Sequence, residues 1–328
     1  MLRIYRPGAK GADVLSPDDG PEALAGAVWI DIADPLAWEG PLLKAATGIE
    51  LPRRADMVEI EASSRIYRED GASVMTVVLV VGMDSDNPST VPVSFILTRD
   101  RLVTVRYSDP QPFRSFGLLC DRTGPPPTPL AVLAGLLDAI VDRTADILER
   151  MGSDLDQISG MVFALRTPSG RRLSTDDLSM ILRRIGQVNF VLNKVHDSLQ
   201  TLMRMASFLL VPSRDPELRH DKQIKEELKS LARDLSSLDQ NASYQSSNVG
   251  FLLDAALGRI SIEQNAIIKI FSVAAVVFLP PTLVASIYGM NFDFMPELHW
   301  DLGYPWALGL MVLSAAVPYL WFKRKGWL

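Results

Sequence analysis

Two uncharged runs near the C-terminus constrain this chain more than any other feature. Ile270 to Met290, IFSVAAVVFLPPTLVASIYGM, carries no charge for 21 residues, and Leu302 to Phe322, LGYPWALGLMVLSAAVPYLWF, none for another 21. As helices rising about 1.5 Å per residue, each reaches about 30 Å, the hydrocarbon thickness of a bilayer. The alternative is a pair of buried core helices, which seldom run so far without a charge. Arg259 and Lys269 precede the first run, and Lys323, Arg324 and Lys325 follow the second. The connecting loop, 291–301, holds Asp293, Glu297 and Asp301 and no Lys or Arg. Because basic residues stay on the cytoplasmic side, both termini are expected inside the cell and the loop outside. Trp300, Tyr304 and Trp306 suit the outer interface, and Tyr319, Trp321 and Trp327 the inner one.

The rest of the chain reads as a cytoplasmic unit. MLRIYRPGAKGADV at the N-terminus has no apolar stretch of the exporting kind. The single cysteine, Cys120, excludes a disulfide within the chain, and a formal net charge of −6 argues against a nucleic-acid partner. Residues 1–128 read as an α/β domain. Runs rich in Val, Ile and Thr predict strands at 27–32, 57–70, 72–82, 91–99 and 102–108, with helices at 35–47 and 111–121. EDG at 69–71 and TRDRL at 98–102 read as hairpin turns. GPPPTP at 124–129 is a stiff break. A helical hairpin is expected over 129–212, turning at 167–172 with Ser174 as a helix cap ahead of Asp177. Residues 213–290 then form one stalk helix that enters the membrane. Residues 291–301 are the outer loop, 302–322 the second membrane helix and 323–328 a basic tail. Ile224, Leu228, Leu231, Leu235 and Leu238 recur at spacings of four and three. Such a stripe needs a partner helix, in this chain or another.

The first membrane run is more than an anchor. Steps of three and four from Asn265 give Ile268, Ser272, Ala275, Leu279, Thr282 and Ser286, a half-polar stripe among residues that are almost all apolar. On a membrane helix it should face a bundle interior or water. Two such helices enclose little, so a channel needs several copies around an axis. The other reading is that hydroxyls bond back to the helix backbone near proline. Pro280 and Pro281 are expected to break the helix above Leu279. The stripe offers hydroxyls and amides rather than thiolates or imidazoles, which suits a hard cation that keeps its water. The acidic loop would concentrate such cations. One helix carries Asp138, Asp142, Asp146, Glu149, Asp154 and Asp156, several on one face; a solvated surface explains them equally well. Asp254, three turns before Asn265 in FLLDAALG, calls for a partner: a divalent cation shared between chains, or a bond within its own chain. No P-loop, GxSxG, HExxH or CxxC signals an enzyme.

YGMNF at Tyr288–Phe292, MPELHW at 295–300 and PYLWFKRKGWL at the end resemble the CorA family of magnesium transporters, the 2-TM-GxN metal ion transporters. The motif carriers run from about Phe251 to Leu328. The resemblance implies an α+β membrane protein: a cytoplasmic α/β domain, a long stalk helix and two C-terminal transmembrane helices, five copies forming a homopentameric funnel-shaped channel in the inner (plasma) membrane. It implies Mg²⁺ uptake, also of Co²⁺ and in some members Ni²⁺, down the electrochemical gradient, with Mg²⁺ as substrate and regulatory ligand and no organic cofactor. Its partners are then its own copies, the lipid bilayer and divalent cations. Gly289, Met290 and Asn291 would form the outer entrance, Gly289 letting the backbone turn at the helix end and Asn291 binding the hydrated ion. Asn265, Ile268, Ser272, Leu279, Thr282 and Ser286 would line the pore. Asp254 would be the regulatory metal ligand, with Asp84 or Asp86 as partner, and Lys323, Arg324 and Lys325 a basic ring. A Zn²⁺ transporter of the same superfamily and a membrane-anchored scaffold are the rival expectations.

Overall fold

The computed structural model describes the chain except residues 59–64, 70, 85–86, 165–173, 212–221, 292–294, 296–298 and 328. The expected turn at 167–172 and the break at 212–216 lie outside the described residues. Seven strands come first: β1 (Leu2–Tyr5), β2 (Asp13–Val14), β3 (Trp29–Ala33), β4 (Ile66–Glu69), β5 (Ala72–Val81), β6 (Ser89–Leu97) and β7 (Leu102–Arg106). They form one sheet in the order β2-β1-β3-β7-β6-β5-β4. Only β3 and β7 run parallel; the other neighbours are antiparallel. Alternating side chains send Trp29 and Leu102 to one face and Ile30 and Val103 to the other. The β6–β7 turn closes where TRDRL predicts it, with the Thr98 N–H donating to the Arg101 carbonyl at 3.0 Å.

Two strand expectations change. β1 and β2 carry no periodic signal because they are so short; β3 holds β1, with Leu2 opposite Ile32, and β1 holds β2, with Arg3 opposite Val14. Residues 57–58, expected to open a strand, close a short helix, α2 (Arg54–Val58), while 66–69 of the expected strand form β4. Asp56 accepts from the Arg53 N–H at 3.3 Å and starts the helical turn that takes in Met57 and Val58. Helix α1 (Glu39–Thr47) starts four residues later than expected, with Glu39 accepting from the Leu36 N–H at 2.9 Å.

One face of the sheet is covered by α3 (Gln111–Thr123) and by a long antiparallel pair, α4 (Pro129–Phe163) and α5 (Thr175–Leu210). Thr128 caps α4, and Ser174 with Asp177 forms the reciprocal cap that starts α5. Helix α6 (Lys222–Tyr288) follows as a single element of 67 residues, about 100 Å long. Leu228, Leu231, Leu235, Ala242, Val249, Leu252 and Ala256 face inward along it and pack on α4 and α5. The partner of the stalk stripe is therefore in the same chain. At its upper end the Arg259 guanidinium donates to the Val162 carbonyl at 2.9 Å, and beyond Ile260 α6 leaves this bundle. Helix α7 (Gly303–Arg324) then returns against it.

The two apolar runs are not core helices. Only 6% of the most apolar window of α6 and 11% of that of α7 is buried. Their exposed Ile, Leu, Val and Phe side chains require a lipid or protein surround. Leu235 is fully buried between the helices. Leu235→Ala is expected to cost about 2–5 kcal/mol, read as a lowered midpoint in thermal or denaturant unfolding of the detergent-solubilised protein.

Candidate ion pathway

The stripe and the contact with α7 occupy opposite sides of α6. At about 100° per residue, Asn265, Ile268, Ser272, Ala275, Leu279, Thr282 and Ser286 cluster on one face, and all seven are exposed. Val273, Val277, Pro280, Pro281, Val284 and Tyr288 lie about 170° away and are buried or half-buried. Helix α7 is the element that packs on this part of α6. It therefore covers the back of the stripe and leaves the polar face open.

The proline pair does not break α6, which continues through Pro280 and Pro281 to Tyr288. The fixed φ of proline is helical, so the loss is confined to two backbone bonds and their steric crowding. Unwinding in an apolar surround would strand far more N–H and C=O groups. The Thr282 hydroxyl donates to the Phe278 carbonyl at 3.0 Å and to the Leu279 carbonyl at 2.7 Å. Hydroxyl bonding to backbone near proline thus occurs on the stripe, and it fixes the rotamer of Thr282 while leaving its oxygen exposed.

At the helix end, the Gly289 N–H donates to the Ala285 carbonyl at 2.9 Å and the Met290 N–H to the Ile287 carbonyl at 3.2 Å. Gly289 has no positive φ. Its absent side chain serves a close approach instead: a Cβ would stand 3.1 Å from the Ala285 oxygen. Met290 and Asn291 follow as exposed residues. Asp293 and Glu297 lie outside the described residues, as does Asp86. Trp300 and Trp306 meet at 6.3 Å between ring centroids beside this end of α7.

At the other end, Lys323 and Arg324 close α7 and Lys325 caps it. The Lys325 ammonium lies 4.5 Å from the Trp321 ring and the Lys269 ammonium 5.9 Å from the Trp327 ring. Aromatics and cations thus share one level on both helices, and the Lys269–Trp327 contact is a link that sequence spacing does not reveal. Asp254 is exposed, about 20° from the face of Asn265. Asp84 is exposed in the turn after β5, and no hydrogen bond or ion pair joins it to Asp254. Among the described residues no group of three or more His, Cys, Asp and Glu is placed to hold a metal within one chain. Of the α4 carboxylates, Asp154 meets Arg184 at 3.5 Å. The Asp138 carboxyl has a raised pKa, through burial first and then the charges of Asp142, Asp234 and Glu227.

A family model described as CorA-like Mg²⁺ transporter protein matches residues 25–324. The chain belongs to the CorA family. The magnesium transport protein CorA of Haemophilus ducreyi is 36% identical over 331 residues, covering all of both chains. That of Escherichia coli K12 is 35% identical over 310 residues, 94% of each. Among solved structures, the complete CorA magnesium transporter of Methanocaldococcus jannaschii superposes with a TM-score of 0.78 at 18% identity, covering 100% of this chain and 99% of the other. Full-length CmaX gives 0.67 at 15% identity, with 98% and 96% covered. The cytoplasmic domain of ZntB from Vibrio parahaemolyticus gives 0.52 at 8% identity over 79% of this chain and 97% of that one. These three likenesses concern the fold. The chain is thus an α+β protein of a membrane transporter family, with an α/β domain, a long helix and a C-terminal helix.

The opposed faces of α6 give a direct test. Ser272→Cys and Ser286→Cys in the membrane-embedded protein should react with a water-soluble thiol reagent, and Val273→Cys should not. Native Cys120 contributes little background, because burial, then Asp121, pushes its thiol up to about 11. Equal silence at all three positions would place the stripe against lipid.

Proposed function

We propose that this protein is a homopentameric Mg²⁺ channel of the inner (plasma) membrane, with both termini cytoplasmic and α6 of each copy lining the pore. The observation that carries the reading is the polar face of α6, open on the side opposite α7 and leading to Gly289, Met290 and Asn291. Residues 1–128, the 129–212 hairpin and the lower part of 213–290 form the cytoplasmic funnel. The second span, 302–322, forms the outer ring, and 323–328 a basic ring at the inner mouth.

Mg²⁺ sheds water reluctantly, so the path works on a hydrated ion. Five Asn291 amides bond its waters at the entrance, where Asp293 and Glu297 raise the local cation concentration. Thr282, Ser272, Ser286 and Asn265 offer further polar rings, and Leu279 and Ile268 form narrow apolar points that dewet when the funnel tightens. A divalent ion gains about 4.6 kcal/mol per 100 mV of inside-negative potential, so uptake needs no nucleotide. The same path suits hydrated Co²⁺ and Ni²⁺. Asp254 shares the side of Asn265, so the five copies of this carboxylate gather near the axis. Mg²⁺ bound there on the cytoplasmic side, with Asp84 and Asp86 as further ligands, holds the funnel closed. Its loss lets the carboxylates repel one another and the gate open.

Purified protein in liposomes should pass Mg²⁺ without a pH gradient, and Asn291→Ala should lower the flux at least tenfold. Flux that appears only with Zn²⁺ and a pH gradient would favour the zinc branch, and absence of any flux a membrane-anchored scaffold. Asp254→Asn should leave conduction intact and weaken inhibition by cytoplasmic-side Mg²⁺. Unchanged inhibition would remove Asp254 from regulation.

A further inference from the structure

The basic end of α7 carries cations that the protein leaves unmatched. Lys323 and Arg324 are exposed, and neither has an ion pair among the described residues. Helix α7 itself contains no Asp or Glu. The two neighbouring cations are occupied differently: Lys325 rests against Trp321 and Lys269 of α6 against Trp327. This end of the helix is also closed rather than frayed. Gly326 turns left-handed with φ 69°, and the Trp327 N–H donates back to the Phe322 carbonyl at 3.1 Å. The Trp327 ring stacks on buried Phe322 at 5.2 Å between centroids.

Helical position fixes which way the unmatched pair points. Gly303, Ala307, Met311, Ala315 and Pro318 are buried or half-buried and mark the side of α7 turned to the protein. At about 100° per residue, Lys323 and Arg324 lie about 140° and 120° from the middle of that side, one on each flank of the outward pole. Val312, Leu313 and Leu320 are exposed within about 60° of the same pole. An apolar strip therefore runs along the outside of α7 and ends at two cations. Leu313 and Arg324 are separated by about 16 Å along the axis, close to half of a hydrocarbon core of about 30 Å. That is the depth of one leaflet.

We propose that this outer face of α7 binds one anionic phospholipid, its phosphate held by Lys323 and Arg324 and its acyl chains laid along Leu320, Leu313 and Val312. Arg324 offers a planar fork to two phosphate oxygens and Lys323 a point charge. The apolar strip assigns the anion to a lipid: a free phosphate would use the cations alone, and only a molecule with chains covers both parts. The charges assign the headgroup: a zwitterionic one brings its own ammonium, which the pair repels, and an anionic one does not. The inference goes beyond the ion path. It needs the bilayer, but neither conduction nor a set number of copies.

The test places the full chain in nanodiscs of phosphatidylcholine and phosphatidylglycerol in equal parts and counts the lipids that stay bound in native mass spectrometry. Phosphatidylglycerol should be retained in preference to phosphatidylcholine. Lys323→Gln with Arg324→Gln, both at exposed positions, should lower that preference about 25-fold, about fivefold for each charge lost at a membrane surface. The charge-conserving swap, Lys323→Arg with Arg324→Lys, should keep it. Lys269→Gln should change it far less; an equal loss there would reduce the effect to the net charge of this end and overturn the site. Added inorganic phosphate should leave the lipid in place, and displacement would give the pair to a free anion instead. Equal retention of the two lipids by the unaltered chain, or an undiminished preference in the double Gln variant, would also overturn the proposal.

Discussion

The backbone of α6 is the constraint on which the rest of the molecule depends. A segment in hydrocarbon must satisfy every N–H and C=O internally, and a helix that starts beside the α4–α5 pair meets that demand most simply by never stopping. The 67-residue element runs past Gly250, Gly258 and two prolines. Its lower half is fixed by apolar packing on α4 and α5, and its upper half by α7 on one side only. What happens at either end is therefore carried along one rigid rod.

The α/β domain is held together by a different kind of bond. Parallel strands β3 and β7 bring Asp31 and Arg106 together at 2.9 Å, both almost fully buried. Thr104 donates to Asp31 at 2.8 Å, the Trp29 indole donates to Thr104 at 3.0 Å, and Arg106 also reaches Asp109. Burial works against the charged guanidinium, but Asp31 and Asp109 outweigh it and hold the Arg106 pKa above its ordinary value. A pair this buried adds little net energy over an apolar pair, yet breaking one partner is costly. It fixes the register of β3 on β7 on the face where the helices pack. Tyr5 and Trp29 stack at 4.3 Å beside it, and Phe116 of α3 meets Trp29 at 5.5 Å.

Much of this was legible in the residues because the strongest signals are local. Long uncharged runs, basic flanks and Val-rich alternation follow from single-chain chemistry, so the two membrane helices and the long β5 and β6 emerge without coordinates. The short β1 and β2 do not, since pairing creates them, β1 with β3 and β2 with β1. Met57 and Val58 misled because Asp56, by accepting from the Arg53 N–H, starts a helical turn that takes them in. The proline pair misled because propensity in water is a poor guide where a broken helix has no water to turn to. Gly289 stands in the turn that ends the helix, where the residue type suggested it, and its missing side chain also spares the Ala285 carbonyl.

By itself, the sequence determined the membrane spans, their flanking charges, the polar stripe and the GMN motif, because these depend on residue type and helical spacing alone. Tertiary structure decided which way each face points. It assigned the Leu228–Leu235 stripe to the chain's own hairpin, set α7 behind the polar stripe and brought Lys269 beneath Trp327. Those outcomes depend on which apolar faces meet, and a face meets its partner only when distant parts of the chain are brought together.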